Sequence, residues 1–211
     1  MADGLYQLDL DGTLIRSINI KGYDSNPEAV CFDGKYLWIA GNQNDKIYQV
    51  NMDGVLIRGF SIGGFETAPR GVAFDGKFLW VTGVTTGNLY QLDRDGALIR
   101  SINIAGFDSN PEAVCFDGKY LWIAGNQNDK IYQVDLGGVL IRGFSIPPGE
   151  TVPRGIAFDG KFLWMVGSTQ DDIYQIDRDG ALIRSFSIGG FETAPSGIAF
   201  DGKYLWVTGV S

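Results

Sequence analysis

The sequence predicts an all-β protein, a five-bladed β-propeller with four antiparallel strands in each blade. The first observation behind this prediction is a repeat of 42 residues without insertions, which one proline marks in each unit: Pro27, Pro69, Pro111, Pro153 and Pro195. The second is that one unit is divided between the two ends of the chain. The third is that every unit contains four short segments of strand composition and no segment with the 3.6-residue period of a helix. Four strands in roughly 40–45 residues are typical of a propeller blade.

The unit from Pro69 to Asn110 shows the predicted order of the strands. A first strand of small and apolar residues ends at Asp75-Gly76, a strong signal for a tight hairpin turn. A second strand, rich in aromatic and β-branched residues, leads through a polar loop to a third strand. A second Asp-Gly pair precedes the fourth strand. The sequence therefore predicts an antiparallel meander with strands over residues 71–74, 78–82, 89–93 and 97–104.

The divided unit predicts how the ring closes. Its break falls in the loop between the second and third strands, so residues 195–211 supply the inner pair of strands and residues 2–26 supply the outer pair. Pairing of the two segments in one sheet leaves no blade face open. We therefore expect residues 1–211 to form a single propeller domain, with blades at 27–68, 69–110, 111–152, 153–194 and at 195–211 joined to 2–26.

Each unit contains one tryptophan, always in its second strand: Trp38, Trp80, Trp122, Trp164 and Trp206. We expect these side chains to be buried between blades, where their large aromatic surface holds neighbouring sheets together. Cys31 and Cys115 share a repeat position that is alanine in the other units, which indicates a small buried site. The two cysteines belong to blades that are not adjacent, so we expect two free thiols.

Composition and charge exclude several classes of function. With a net charge of −8 at pH 7 and a pI near 4.5, the protein repels nucleic acids and anionic membrane surfaces. We expect no membrane-spanning segment and no secretion signal, a pattern that is compatible with cytoplasmic or recombinant expression and leaves the localisation unknown. The chain has no histidine, which excludes the usual zinc sites and histidine-based catalysis. We expect no metal and no cofactor.

Three sets of residues on one loop face are candidates for ligand binding. The first set, here called the loop acids, lies three residues before each repeat proline: Asp24, Glu66, Asp108, Glu150 and Glu192. The second set, here called the mouth ring, directly follows each repeat proline: Glu28, Arg70, Glu112, Arg154 and Ser196. The third set lies in the amide-rich loop after the second strand of two units: Asn42, Asn44, Asn126 and Asn128.

The chemistry of these sets is open to two interpretations, a ligand-binding role or a purely structural role. Alternating glutamate and arginine around a narrow mouth predicts ion pairs between blades, and a cation or small cationic ligand could bind there. Amide-rich loops on a rigid scaffold suit hydrogen bonds to a sugar, a peptide or another small molecule. In the alternative, the acids cap local backbone N–H groups and the amides only form turns.

The blades also resemble a known group of repeats. The motif Ala-Phe-Asp-Gly-Lys-Tyr/Phe-Leu-Trp-Val-Thr-Gly, followed by Ile/Leu-Tyr-Gln-Leu/Val/Ile-Asp-x-Asp-Gly, resembles NHL-type and related bacterial propeller repeats in all units. That resemblance implies a binding platform. A five-bladed ring is also similar to the glutaminyl cyclotransferase and tachylectin-type lectin propellers. No residues match a lectin sugar motif, and no acid stands apart from the repeat as a cyclase site would require.

The units are nearly identical to one another. Residues 27–68 and 111–152 differ at seven positions, which indicates recent amplification of a blade pair or deliberate construction. We therefore expect a monomeric, non-enzymatic, pseudo-symmetric scaffold without an evolved ligand or partner. The alternatives are a lectin-like or peptide-binding module and, third, an enzyme of the glutaminyl cyclotransferase kind.

Overall fold

The structure, a computed structural model, describes residues 4–209 and contains 20 β-strands. The strands form five separate four-stranded antiparallel sheets, which are the blades of a propeller. In chain order they are β1 (Gly4–Leu8), β2 (Leu14–Asn19), β3 (Pro27–Phe32), β4 (Leu37–Gly41), β5 (Lys46–Val50), β6 (Leu56–Ser61), β7 (Pro69–Phe74), β8 (Leu79–Gly83), β9 (Asn88–Leu92), β10 (Leu98–Asn103), β11 (Pro111–Phe116), β12 (Leu121–Gly125), β13 (Lys130–Val134), β14 (Leu140–Ser145), β15 (Pro153–Phe158), β16 (Leu163–Gly167), β17 (Asp172–Ile176), β18 (Leu182–Ser187), β19 (Pro195–Phe200) and β20 (Leu205–Gly209). The predicted fold class is confirmed. None of the described residues forms a helix that is long and apolar enough to cross a membrane.

The first and the last described strands, β1 and β20, lie in one blade. Its strand order is β19-β20-β1-β2, and β1 pairs antiparallel with β20 along its whole length. Leu5 lies opposite Thr208 and Gln7 lies opposite Trp206. This pairing is the predicted closure, because it joins the first strand of the chain to the last within a single sheet.

The innermost strand of each blade begins at the repeat proline, two residues earlier than the sequence predicts. In β7, Pro69 pairs with Gly83 and Gly71 pairs with Thr82, so Arg70 is an extra residue in a β-bulge. Proline has no N–H to donate to a sheet, and a bulge is one of the places where a strand tolerates it. The same shift of register recurs at the start of β3, β11, β15 and β19.

The hydrophobic core lies between neighbouring blades. Trp38 of one blade packs in a cluster with Leu79 and Val81 of the next, and the other clusters among residues 4–209 join adjacent blades in the same way. The predicted burial of the tryptophans is confirmed, because each has no exposed surface: Trp38, Trp80, Trp122, Trp164 and Trp206. Burial of this aromatic area between sheets is what holds the ring together.

The outermost strands add polar contacts between blades. The guanidinium of Arg58 lies 5.4 Å from the ring centroid of Trp38, and its Nε donates to Oε1 of Gln49 over 2.9 Å. Its Nη1 pairs with the carboxylate of Asp95 in the next blade. Equivalent pairs lie at three other blade junctions: Arg16 with Asp53, Arg142 with Asp179, and Arg184 with Asp11.

The innermost strands approach one another closely around the central channel. A Cβ atom added at Gly197 would lie 2.6 Å from Cα of Ala29, and one added at Gly71 would lie 2.8 Å from Cα of Ala113. Only glycine permits such an approach of two backbones. At this level the channel has no room for a water molecule. The channel is therefore divided into a polar mouth at the start of the innermost strands and an apolar cavity at their end.

Candidate functional site

The mouth ring consists of one bulge residue from each blade. Glu28, for example, lies between Pro27, which pairs with Gly41, and Ala29, which pairs with Ala40. Side chains of a strand alternate between the two faces of the sheet, and the extra residue of a bulge interrupts this alternation, so its side chain points in a different direction. The five bulges bring together the side chains that the sequence analysis placed at the mouth: Glu28, Arg70, Glu112, Arg154 and Ser196.

Ion pairs connect four members of the mouth ring in series. Nη1 of Arg70 lies 2.6 Å from Oε2 of Glu28, and Nε of Arg70 lies 3.8 Å from Oε2 of Glu112. Nη1 of Arg154 lies 3.2 Å from the same oxygen of Glu112. These are the inter-blade contacts that the alternation of glutamate and arginine predicts.

Amide side chains hold the two glutamates in place. Oε1 of Glu28 accepts hydrogen bonds from Nδ2 of Asn26 at 3.0 Å and from Nδ2 of Asn42 at 3.2 Å. Oε1 of Glu112 accepts one from Nδ2 of Asn126 at 3.4 Å. Of the four predicted amides, Asn42 and Asn126 therefore contact the mouth ring, and they act by orienting its carboxylates.

Burial and neighbouring charges shift the pKa of Glu112 in the mouth ring. Its burial raises the pKa of the carboxyl, the guanidinium groups of Arg154 and Arg70 lower it, and the charge of Glu28 raises it. The resulting pKa lies above its usual value. Glu112 thus carries a desolvated carboxylate whose charge is balanced by the two arginines on either side of it.

Ser196 interrupts the charged series between Arg154 and Glu28. Its hydroxyl donates to the carbonyl oxygen of Pro27 and lies within hydrogen-bond distance, 3.1 Å, of Oγ1 of Thr208, so it is held at the wall of the channel. An open cavity of about 210 Å³ lies in this gap. Its polar lining comes from Asn26, Glu28, Arg70, Arg154, Ser168 and Ser196.

The loop acids do not line this cavity. They are almost completely buried, and one oxygen of each accepts the backbone N–H two residues further on: Asp24 from Asn26, Glu66 from Ala68, Asp108 from Asn110, Glu150 from Val152 and Glu192 from Ala194. Burial raises the pKa of Asp108, although hydrogen bonds from Asn110, Gln127, Tyr132 and Asn128 oppose the shift. These contacts match the capping alternative.

A glycine at the end of each second strand makes room for the loop acid. A Cβ atom added at Gly41 would lie 2.0 Å from Oδ2 of Asp24, and one added at Gly83 would lie 1.9 Å from Oε2 of Glu66. The remaining candidates, Asn44 and Asn128, donate to the hydroxyls of nearby tyrosines instead of facing the cavity. The loop acids and the two asparagines Asn44 and Asn128 therefore shape the loops around the mouth.

The opposite end of the channel is apolar and smaller. Its cavity of about 70 Å³ is lined by five phenylalanines, Phe32, Phe74, Phe116, Phe158 and Phe200, with the two cysteines among them. Cys31 and Cys115 are free, and burial raises the pKa of both thiols, so they stay protonated. The residues that line this cavity therefore include no group that titrates near neutral pH.

The sequence analysis missed two parts of the site. Asn26 and Ser168, which line the cavity, lie outside the candidate sets, and the gap itself was not foreseen. The sequence signal that could have revealed the gap was Ser196, because it breaks the glutamate–arginine alternation. Within residues 4–209, no group of three or more acidic or cysteine side chains is placed to hold a metal ion. The cavity instead presents charged side chains of both signs, the carboxylate of Glu28 and the guanidinium groups of Arg70 and Arg154.

Comparisons with known proteins point to enzymes. The model of the Virginiamycin B lyase family matches residues 4–211, and no curated protein matches the sequence. Glutaminyl cyclase from Myxococcus xanthus is similar in structure, with a TM-score of 0.74, 14% identity and coverage of 89% of this chain and 88% of its own. A catalytically inactive histidine-to-alanine variant of virginiamycin B lyase from Staphylococcus aureus, solved with quinupristin, has a TM-score of 0.58, 24% identity and coverage of 98% and 71%. A streptogramin B lyase structure has a TM-score of 0.58, 21% identity and coverage of 98% and 70%.

The prediction of a non-enzymatic protein is contradicted by these comparisons. The matching family and the similar structures all carry the names of enzymes, either lyases or a cyclase. The identities of the solved structures are low, so their likeness shows the shared fold. The family model, in contrast, matches the sequence along nearly its whole length, and the chain belongs to the Virginiamycin B lyase family.

Proposed function

We propose that the protein is an enzyme that acts on a small peptide-like substrate in the cavity beside Ser196, with the Glu28 carboxylate as the group that accepts a proton. The observation that carries this proposal is the placement of Glu28. Among the described residues it is the acid that lines the cavity, and its two oxygens are oriented by Arg70, Asn26 and Asn42. A carboxylate fixed next to a substrate is a suitable general base.

Arg154 supplies the complementary charge. Its side chain keeps 29% of its surface exposed and has one acidic partner, Glu112, among residues 4–209. Further N–H donors of the guanidinium thus remain for a substrate. A guanidinium can bind a carboxylate or stabilise the negative charge that develops on a carbonyl oxygen during proton transfer or bond cleavage.

A carboxylate-based reaction fits the composition of this chain. The inactive relative carries alanine in place of a histidine, whereas this chain contains no histidine at all. Any proton transfer here must therefore use another side chain. Family membership supports an enzymatic role, and Glu28 is the acid–base group that the cavity provides.

The charges of the cavity favour a peptide-like substrate over a sugar, two of the ligand classes that the sequence left open. A neutral sugar would leave Glu28 and Arg154 without a charged partner in the gap, whereas peptides carry amines, amides and carboxylates. The cavity volume of about 210 Å³ lies below the ~300 Å³ at which sites for drug-sized ligands begin. It therefore accommodates a small substrate or one end of a larger one.

The test compares turnover by three purified proteins. The wild type, Glu28→Gln and Asp53→Asn are incubated with quinupristin and with a short peptide that begins with glutamine, and products are followed by chromatography and mass spectrometry. Asp53→Asn is the matched control, because it removes one negative charge from an exposed turn on the opposite face. Thermal denaturation of all three proteins confirms that they are folded.

We expect the wild type and Asp53→Asn to consume one of these compounds at similar rates. Glu28→Gln should reduce kcat by at least about 100-fold, the usual contribution of a general base. Full activity of folded Glu28→Gln would overturn the assignment of the base. Binding of either compound without any turnover by the wild type would retain the site and refute the catalytic role.

A further inference from the structure

The mouth ring has an odd number of positions, and this prevents its charges from alternating completely. Glutamate and arginine alternate through Glu28, Arg70, Glu112 and Arg154. An ionised residue of either sign at the fifth position would stand beside a like charge, either Glu28 or Arg154. The chain has the neutral Ser196 there, so the series is open at one place.

The two charges that border this opening are each paired on one side. Glu28 pairs with Arg70 across 2.6 Å, and Arg154 pairs with Glu112 across 3.2 Å. On their other side both residues line the cavity of about 210 Å³, together with Ser196. The Ser196 hydroxyl is bonded to Pro27 and Thr208 and offers neither residue a charge.

We propose that this opening binds a zwitterion with a free amino group and a free carboxylate, which is a free α-amino acid or a very short peptide. The ammonium group faces Glu28 and the carboxylate faces Arg154. The bound ligand then completes the alternation of charge around the ring without adding net charge. This inference rests on the proposed function for the choice of site, and it names the two ends of the substrate.

The chemistry of each end explains the selectivity. The planar guanidinium of Arg154 matches the geometry of a carboxylate and can donate two parallel hydrogen bonds. Glu28 can accept hydrogen bonds from an ammonium while Asn26 and Asn42 keep its orientation. A compound that lacks one of the two charges leaves Glu28 or Arg154 partly desolvated beside an uncharged group, which weakens binding.

Titration calorimetry tests the inference. The ligands are L-alanine and L-alanyl-L-alanine, each in free form, with an acetylated amine and with an amidated carboxylate. The proteins are the wild type, Ser196→Glu, Arg154→Gln and the control Asp53→Asn, all checked for folding by thermal denaturation. Ser196→Glu places an internal carboxylate next to Arg154 and fills the opening.

We expect a free amino acid or free dipeptide to bind the wild type and Asp53→Asn with one site and similar affinity. Blocking either end should weaken binding at least tenfold, and so should Ser196→Glu and Arg154→Gln. The two ligand lengths distinguish an amino acid site from a dipeptide site. Equal affinity for blocked and free ligands, undiminished binding to folded Ser196→Glu, or no binding to the wild type would overturn the inference. Binding that depends on both charges of the ligand, without turnover of any substrate, would support this inference and would refute only the catalytic proposal.

Discussion

Nε1 of Trp80 donates a hydrogen bond of 2.8 Å to Oδ2 of Asp75, the residue that opens the hairpin turn of the same blade. The other oxygen of Asp75 accepts the backbone N–H groups of Lys77 and Phe78. The same indole–carboxylate bond is present in the remaining blades: Trp38 with Asp33, Trp122 with Asp117, Trp164 with Asp159 and Trp206 with Asp201. One carboxylate per blade therefore ties the hairpin turn to the buried core.

Replacement of Trp80 by phenylalanine should lower the free energy of unfolding by about 2–4 kcal/mol, because it removes a hydrogen bond to a charged group and leaves a cavity. Urea denaturation measures the change. The control is Phe78→Tyr, since tyrosine occupies that position in three other units and should cost under about 0.5 kcal/mol. A loss below about 1 kcal/mol for Trp80→Phe would contradict the role of this bond.

Replacement of Gly137 by aspartate should complete the outer series of ion pairs. Arg100 lacks the acidic partner that the equivalent arginines have within the described residues, because Gly137 occupies the aspartate position, and its Nη2 donates to the carbonyl of Leu136 over 2.5 Å. The equivalent aspartates are largely exposed, so we expect a gain of about 0–1 kcal/mol. Urea denaturation of Gly137→Asp and of the uncharged control Gly137→Asn gives the difference. That difference should shrink at high salt, and a less stable Gly137→Asp at low salt would be evidence against the ion pair.

Tyr90 and Tyr174 occupy the same repeat position, but removal of the hydroxyl group should change the free energy of unfolding differently at the two sites. The hydroxyl of Tyr90 bonds to Oγ1 of Thr86 at 2.6 Å and to the carbonyl of Phe65 at 3.0 Å. The hydroxyl of Tyr174 is buried without a hydrogen-bond partner among residues 4–209. Tyr90→Phe should therefore cost about 1 kcal/mol, whereas Tyr174→Phe should be neutral or stabilising. Equal losses in urea denaturation would refute this difference.

Alkaline pH should destabilise the protein through its buried tyrosines. Burial, with the charges of Glu150 and Asp172, raises the pKa of Tyr174 from 10.0 to about 12. Between these values the unfolded chain has lost the proton and the native protein retains it, so stability falls as pH rises from 10 to 12. Burial raises the pKa of Tyr48 and Tyr132 in the same direction. The free energy of unfolding measured against pH should fall less steeply for Tyr174→Phe than for the wild type, and identical slopes would contradict the shift.

The repeat period made most of the fold predictable. Regular spacing of Pro27 and its counterparts indicated the blades, and the divided unit indicated the pairing of β1 with β20. The buried tryptophans followed from their single repeat position. Their bonds to aspartate were not predicted, because Asp75 and its counterparts were read as turn residues alone. Recent amplification or deliberate construction, and the monomeric state, stay predictions.

The candidate site was predictable in part. The mouth ring followed from the alternation of Glu28, Arg70 and their counterparts, and the ion pairs between blades are present. The loop acids were expected to be candidates for ligand binding on the loop face, but Gly41 and its counterparts leave room for their carboxylates to turn inward. The opening beside Ser196 also depends on where the serine hydroxyl points, and a linear pattern does not contain that direction.

The central claim is that the opening beside Ser196 is the substrate site. Crystal structures of the protein soaked separately with L-alanine and with L-alanyl-L-alanine test it most directly. We expect one molecule with its carboxylate within hydrogen-bond distance of Arg154 and its amine within hydrogen-bond distance of Glu28. Density for either ligand in the phenylalanine-lined cavity at the other end, or an opening that stays empty at saturating concentrations of both ligands, would contradict the account.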